Sequence, residues 1–147
     1  TINYITRHND ENIFYYGNWP PTPDSAIELF KHLRSHLSLT KQYECRQQLQ
    51  HFWITFDSSS APDFINTFAN DIALIFAPLF PICLATHDKI YHPHTHFVVS
   101  TTSILPSQKP LIGKVWDNYL AQVCELALTR YDIHLTVKPK TNTVIQK

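Results

Sequence analysis

The chain has 147 residues, of which 44% are hydrophobic and 16% charged, a composition typical of a globular domain and not of a disordered tail or a coiled coil. Lys and Arg balance Asp and Glu, and this zero formal charge argues against a protein that coats nucleic acid through charge alone. The longest apolar stretch, residues 72–85, contains two prolines and is too short to span a bilayer. With no signal-like segment at the start, we expect one domain over residues 1–147 and a cytoplasmic location.

The first half of the chain predicts two strands that alternate with two helices. Residues 1–19 are polar and aromatic and are assigned the first strand. Apolar side chains at intervals of three and four residues predict a helix over residues 24–37. The aromatic and β-branched run 51–56 predicts a strand, and a second apolar stripe predicts a helix over residues 62–79 that begins with proline.

The second half predicts two consecutive strands, a helix and a last strand, over residues 81–86, 95–101, 114–131 and 133–137. Residues 89–147 hold seven Lys or Arg and three acids, so this half is net basic and suits an anionic partner. The order of elements predicts an α+β fold, an antiparallel sheet with helices packed on it.

Four of the nine histidines lie within residues 87–96. His94 and His96 are two positions apart, so in a strand both point to one face, about 7 Å apart along the backbone. If the two neighbouring strands form a hairpin, His87 lies opposite His94 and adds a third imidazole, with the small Ala85 and Cys83 beneath. Three imidazoles favour Mn, Zn, Ni or Co over Mg by affinity, so we predict a divalent metal site. The alternative is a strand with ordinary surface histidines.

Residues 82–100 resemble the histidine-hydrophobic-histidine hairpin of the HUH endonucleases. They are particularly similar to plasmid mobilization relaxases of the MobA/VirD2-like class, in which a strand ending in histidine leads through a polar loop into Pro-His-x-His and an apolar strand. In this chain His87 ends the first strand, and Pro93-His94-Thr95-His96 begins the second. Near the start, Asn3-Tyr4-Ile5-Thr6-Arg7 resembles the Tyr-Ile-x-Arg segment that carries the nucleophile of those enzymes.

The resemblance implies a metal-dependent DNA nickase that works through a tyrosine, in plasmid mobilization or conjugation. Tyr4 would attack single-stranded DNA at an origin of transfer and form a 5′-phosphotyrosine. His87, His94 and His96 would hold the metal ion, Mn²⁺ or Mg²⁺, with Zn²⁺ or Ni²⁺ as further candidates. The expected partners are that DNA and accessory relaxosome proteins.

Other polar residues receive supporting roles in this hypothesis. Asp57 and Asp88 are candidates for the base that accepts the tyrosine proton or for an acceptor that orients a ligand histidine, and both also suit solvated turns. Arg7, Lys89 and Lys114 are candidate contacts to DNA phosphates, with an ordinary solvated surface as the alternative.

Three other functions remain open at this stage. If Tyr119 on the predicted helix 114–131 were the nucleophile, the chain would be a replication initiator or transposase of the same superfamily. The apolar stripe that Tyr119 shares on this helix favours a core role instead. The alternating histidines also resemble histidine-triad nucleotide hydrolases, with His94 as nucleophile, but His87 would then have no role. The third alternative is an inactive module that binds DNA.

Overall fold

The structure, a computed structural model, describes residues 2–6, 12–16, 22–37, 49–87, 91–105, 107–137 and 143–146. The four helices within this part of the chain are α1 (Ile2–Ile5), α2 (Pro23–Leu37), α3 (Pro62–Phe76) and α4 (Gly113–Tyr131). The six strands are β1 (Asn12–Tyr16), β2 (Leu49–Thr55), β3 (Ile82–His87), β4 (His94–Ser100), β5 (Thr136–Val137) and β6 (Thr143–Gln146). Helix α3 begins with Pro62, whose fixed φ suits a first helical position. It ends at Phe76, short of the predicted end at position 79, and Pro78 just beyond has no amide hydrogen to continue the helix.

The described strands form one sheet with the order β1-β3-β4-β2-β6-β5. Neighbouring strands are antiparallel among β1, β3, β4 and β2, whereas β6 runs parallel to β2 and β5 is antiparallel to β6. The hairpin of β3 and β4 therefore lies inside the sheet, with β1 on one side and β2 on the other. The predicted α+β fold, an antiparallel sheet with helices packed on it, is confirmed.

Alternating side chains give the sheet two different faces. One face, here called the α3/α4 face, carries aromatic and aliphatic side chains of β2, β3 and β4, which are buried against α3 and α4 in the main hydrophobic core. This core includes Phe52, Leu84, Phe97, Phe68 and Trp116.

The opposite face, here called the histidine face, supports a smaller apolar cluster. Cys83, Ala85 and Val98 pack there with Ile2 of α1 and Ala26 of α2. Farther along β3 and β4, the same face carries the three histidines, because His87 continues the series from Cys83 and His96 and His94 continue it from Val98. The apolar part of this face therefore brings α1 close to the histidines.

Two further predicted elements differ from the observed ones. The chain begins with the short helix α1 before the first strand, because Ile2 accepts hydrogen bonds at its carbonyl from both the amide and the hydroxyl of Thr6. The last predicted strand is shortened because Asp132 adopts φ 52° and the amides of Asp132 and Ile133 bond to carbonyls of Leu128 and Ala127. This arrangement ends α4 and uses residues that the sequence pattern assigned to the strand.

Strand β6 has no counterpart in the sequence prediction, which treated the residues after position 137 as a basic tail. Its hydrogen-bonding partners are β2 and β5. In the described part of the chain, no helix combines the length and the apolar character needed to cross a membrane.

Candidate metal centre and nucleophile

The β3/β4 hairpin has the register that the histidine spacing predicts. His87 pairs with His94, Ala85 with His96 and Cys83 with Val98. Ring centroids are 4.9 Å apart for the first pair, which is stacked. The ring of His96 is 5.1 Å from that of His87 and 4.8 Å from that of His94, in both cases edge to face. Each of the three histidines offers one nitrogen, and these nitrogens all lie within 4.8 Å of one another.

Two of the histidine rings form hydrogen bonds through Nδ1. Nδ1 of His94 lies 3.0 Å from the carbonyl oxygen of His92. Since a carbonyl only accepts, Nδ1 carries the proton and Nε2 keeps its lone pair. Nδ1 of His96 is 3.1 Å from Nε2 of His51, and either nitrogen can be the donor of this hydrogen bond. Ligand histidines in metalloproteins commonly have such a partner on the second nitrogen.

Burial favours the neutral imidazole of His96 and His51, and neutral imidazole is the form that binds metals. Burial lowers the pKa of His96 to about 3, with additional contributions from His94, His51 and His87. Burial also lowers the pKa of His51. A set of three neutral nitrogens fits a divalent transition metal and leaves the charge of the ion uncompensated.

Tyr4 reaches the same site from a different element. It lies in α1, where the buried Ile2 anchors the helix and the Tyr4 side chain is 55% exposed. Its ring points edge-on to that of His96, with centroids 6.4 Å apart and planes inclined by 77°. The phenol is therefore both near the histidines and accessible to a ligand from solvent.

A cavity of about 330 Å³ joins these groups. It is lined by Tyr4, His51, Trp53, Thr55, His92, His94 and His96. A second cavity of about 640 Å³ shares Thr55 and His92 with the first and extends over the turn after β2, along residues 56–60 and Tyr91. The two cavities lie side by side.

The remaining predicted site residues are distributed differently. Asp57 lines the second cavity, and its Oδ1 accepts hydrogen bonds from the amide of Ser59 at 2.8 Å and from its hydroxyl at 2.6 Å, which stabilises the turn. Lys114 is exposed on α4, on the α3/α4 face and thus across the sheet from the histidines. Asp88, Arg7 and Lys89 lie outside the described residues.

Tyr119, the rival nucleophile, is part of the core on the α3/α4 face. Its ring stacks on Phe76 at 5.3 Å and meets Phe80 edge to face at 5.5 Å. Burial raises the pKa of the Tyr119 phenol, which opposes formation of the phenolate. The sheet separates it from the histidines.

Sequence reasoning overlooked three residues of the cavity, all on β2. His51, Trp53 and Thr55 alternate along a strand that was predicted correctly, so their position on one face could be predicted from the sequence. Their proximity to the histidines could not be predicted, because it depends on the pairing of β2 with β4. In this pairing Trp53 is opposite His96 and Thr55 is opposite His94.

Comparison with known families adds independent information to this geometry. Residues 4–125 match the model of the relaxase family described as MobA/VirD2-like, nuclease domain. Comparisons with curated proteins and with solved structures give no significant match. The matched region includes Tyr4, all three histidines and most of α4. Relaxases of this family bind and nick single-stranded DNA and generally use a divalent metal. The chain belongs to the MobA/VirD2-like relaxase family and has its nuclease-domain fold.

Proposed function

We propose that this protein is a metal-dependent, tyrosine-based strand transferase that nicks single-stranded DNA at an origin of transfer during plasmid mobilization. The main support is the location of Tyr4, which lines one cavity with His94 and His96 although α1 and β4 are far apart in the chain. A nucleophile beside a metal centre is the arrangement that phosphodiester cleavage requires.

In the proposed reaction, the phenolic oxygen of Tyr4 attacks the phosphorus of the scissile phosphodiester. The bond from phosphorus to the 3′ oxygen breaks, and that oxygen takes up a proton to become a free 3′ hydroxyl. The 5′ phosphate stays bound to Tyr4, so the energy of the phosphodiester is conserved for rejoining. The exposure of Tyr4 leaves the phenol open to an incoming strand.

His87, His94 and His96 are the residues that would hold the metal ion. When bound, a divalent ion supplies positive charge that polarises the scissile phosphate and stabilises the charge of the transition state. The histidines contribute by presenting neutral nitrogens, which favour Mn²⁺, Zn²⁺ or Ni²⁺ over Mg²⁺. Mn²⁺ is therefore our first choice for experiments.

The proton of the Tyr4 phenol requires an acceptor, and Asp57 and Asp88 remain our candidates. Asp57 lines the cavity next to the one that contains Tyr4. Arg7, Lys89 and Lys114 remain proposed phosphate contacts, and Lys114 would contact only a strand that passes around to the α3/α4 face. Accessory relaxosome proteins and a cytoplasmic location belong to the same proposal.

The test is covalent capture of DNA. The protein is incubated with Mn²⁺ and single-stranded oligonucleotides that tile the replicon encoding it, each labelled at the 3′ end. A 5′-phosphotyrosine keeps the 3′ label on the protein, so we expect a labelled band that resists denaturation. Tyr4→Phe should abolish this band.

Tyr119→Phe is the matched control, because it removes the hydroxyl of a core tyrosine across the sheet. It should leave the adduct intact. An adduct that persists in Tyr4→Phe and disappears in Tyr119→Phe would instead assign the chain to the initiator and transposase branch. If the wild type binds Mn²⁺ but forms no adduct with any oligonucleotide, the strand-transfer reaction is wrong.

A further inference from the structure

We infer that His51 is a positioning residue, which accepts a hydrogen bond from His96 and thereby selects Nε2 of His96 as the ligand atom. The inference rests on the metal centre of the proposed function and deepens it. His51 acts through the ring of His96 and not by direct contact with the substrate.

The geometry follows from the pairing of β2 with β4. His51 is opposite Val98 and two residues before Trp53, which is opposite His96. His51 and His96 are therefore diagonal neighbours on one face, where side chains of this length reach each other. Their ring centroids are 5.2 Å apart, and the planes are inclined by 34°.

Only one proton arrangement satisfies both the metal and this contact. The two nitrogens are 3.1 Å apart, so one must donate and the other accept. If Nε2 of His96 binds the ion, its Nδ1 carries the proton and donates to Nε2 of His51. Nδ1 of His96 is then not available as a ligand.

The site uses the same device on a second ligand. His94 donates from Nδ1 to the main-chain carbonyl of His92, which leaves its Nε2 for the ion. Two of the three ligands thus have their tautomers fixed by an acceptor at Nδ1, one on the main chain and one on a side chain. An acceptor at this position also holds the ring orientation and raises the basicity of the ligand nitrogen.

The identity of the acceptor has a consequence for charge. A carboxylate in this role would add a negative charge beside the metal and weaken its pull on a phosphate. A neutral imidazole fixes the ring of His96 without that cost. His51 therefore suits a centre in which the ion must keep its positive charge.

Two substitutions separate this role from packing. His51→Leu fills a similar volume without an acceptor, whereas His51→Gln places a carbonyl oxygen near the position of Nε2. We expect isothermal titration with Mn²⁺ to show roughly 10–100-fold weaker binding for His51→Leu. His51→Gln should recover most of the affinity, and His134→Gln, a substitution of an exposed histidine after α4, should match the wild type.

Wild-type affinity in His51→Leu would overturn the inference, and so would equal losses in the Leu and Gln variants. Nitrogen NMR of the histidine-labelled wild type loaded with Zn²⁺ gives an answer that does not depend on folding of the variants. We expect a protonated Nδ1 and a ligated Nε2 at His96, and ligation through Nδ1 would contradict the assignment.

The proposed metal centre has a control of its own. His94→Ala should lose Mn²⁺ affinity whether or not His51 acts as described. If His94→Ala fails to bind while His51→Leu binds normally, only the positioning role is wrong. If the wild type does not bind Mn²⁺, the proposed metal centre is wrong, and the inference is overturned with it.

Discussion

Cys83 shows how burial decides the role of a single side chain. It lies on the histidine face, two residues before Ala85, in a cluster with Val98. Burial raises the pKa of its thiol to about 12, so hardly any thiolate forms near neutral pH. Because the thiolate is the form that binds metals, Cys83 is not a candidate ligand and contributes packing beneath the histidines.

Tyr131 links α4 to α3 at the far side of the sheet. Its hydroxyl donates to Oδ2 of Asp71, which also accepts from Nη1 of Arg130 at 3.1 Å. Burial, followed by the hydrogen bond to Asp71, raises the pKa of Tyr131 to about 12. The folded state therefore favours the protonated phenol over the phenolate.

The first prediction concerns the pH dependence of Tyr131→Phe. The phenol of an unfolded chain titrates at about 10, so the stabilisation from Tyr131 is complete below that pH and is lost as the pH rises through about 12. We expect Tyr131→Phe to lower the free energy of unfolding by about 1 kcal/mol at pH 8. Urea denaturation should show this difference shrinking by pH 11, whereas Tyr91→Phe, an exposed control, should have little effect. A difference that does not change with pH would contradict the prediction.

At the scale of elements, α3 forms the structural layer behind the sheet. Phe68 in its middle is almost fully buried and meets Phe56 and Tyr131 edge to face, with centroids 5.7 and 4.9 Å away. The opposite side of the helix reaches solvent, where Leu74 is 54% exposed. Helix α3 thus combines a packed aromatic side with an outer surface.

The second prediction contrasts these two positions of α3. Phe68→Ala should lower the free energy of unfolding by about 3–5 kcal/mol, because it removes apolar contacts and leaves a cavity. Leu74→Ala should change it by no more than about 0.5 kcal/mol. Chemical denaturation measures both. Similar losses at the two positions would argue against the packing of α3 described above.

In the whole molecule, the large hydrophobic core and the candidate site lie on opposite faces of the sheet. The α3/α4 face contains the large core, and the histidine face holds the cavity with Tyr4, His94 and His96. A ligand bound on the histidine face stabilises the entire fold, because it binds only where β3, β4 and α1 are assembled.

The third prediction follows from this linkage. Mn²⁺ at about 100 times its dissociation constant should stabilise the folded wild type by about 2.7 kcal/mol and raise its melting temperature. Addition of a chelator should reverse the shift. The double variant His94→Ala/His96→Ala should melt at one temperature with or without Mn²⁺, and an equal metal-induced shift in both proteins would exclude these ligands.

The fourth prediction concerns binding of single-stranded DNA by the whole surface. If Lys and Arg side chains contact the phosphates, the logarithm of the association constant should fall linearly with the logarithm of salt concentration, with a slope of about −0.7 per phosphate contacted. Fluorescence anisotropy over a salt series measures this slope. Lys114→Ala tests whether the strand reaches the α3/α4 face, because an unchanged slope would remove Lys114 from the contacts. Binding independent of salt would contradict phosphate contacts altogether.

The local features of this protein could be predicted from its sequence. Helices α2, α3 and α4 follow from apolar side chains repeated every three or four residues, and the register of β3 with β4 follows from strand alternation and a short connection. That register already places His87 opposite His94, with His96 on the same face. These features depend on residues close together in the chain, so periodicity and spacing are sufficient to predict them.

The contacts between elements far apart in the chain could not be predicted in this way and depend on the assembled fold. The pairing of β2 with β4 brings His51 to His96, and the packing of Ile2 against the sheet brings Tyr4 to the same cavity. Strand order depends on which long-range pairing buries the most apolar surface, a comparison between whole folds that no local pattern contains. The histidine cluster that we propose as the metal site could therefore be predicted from one hairpin, whereas the proposed positioning residue and the shape of the cavity depended on the assembled sheet.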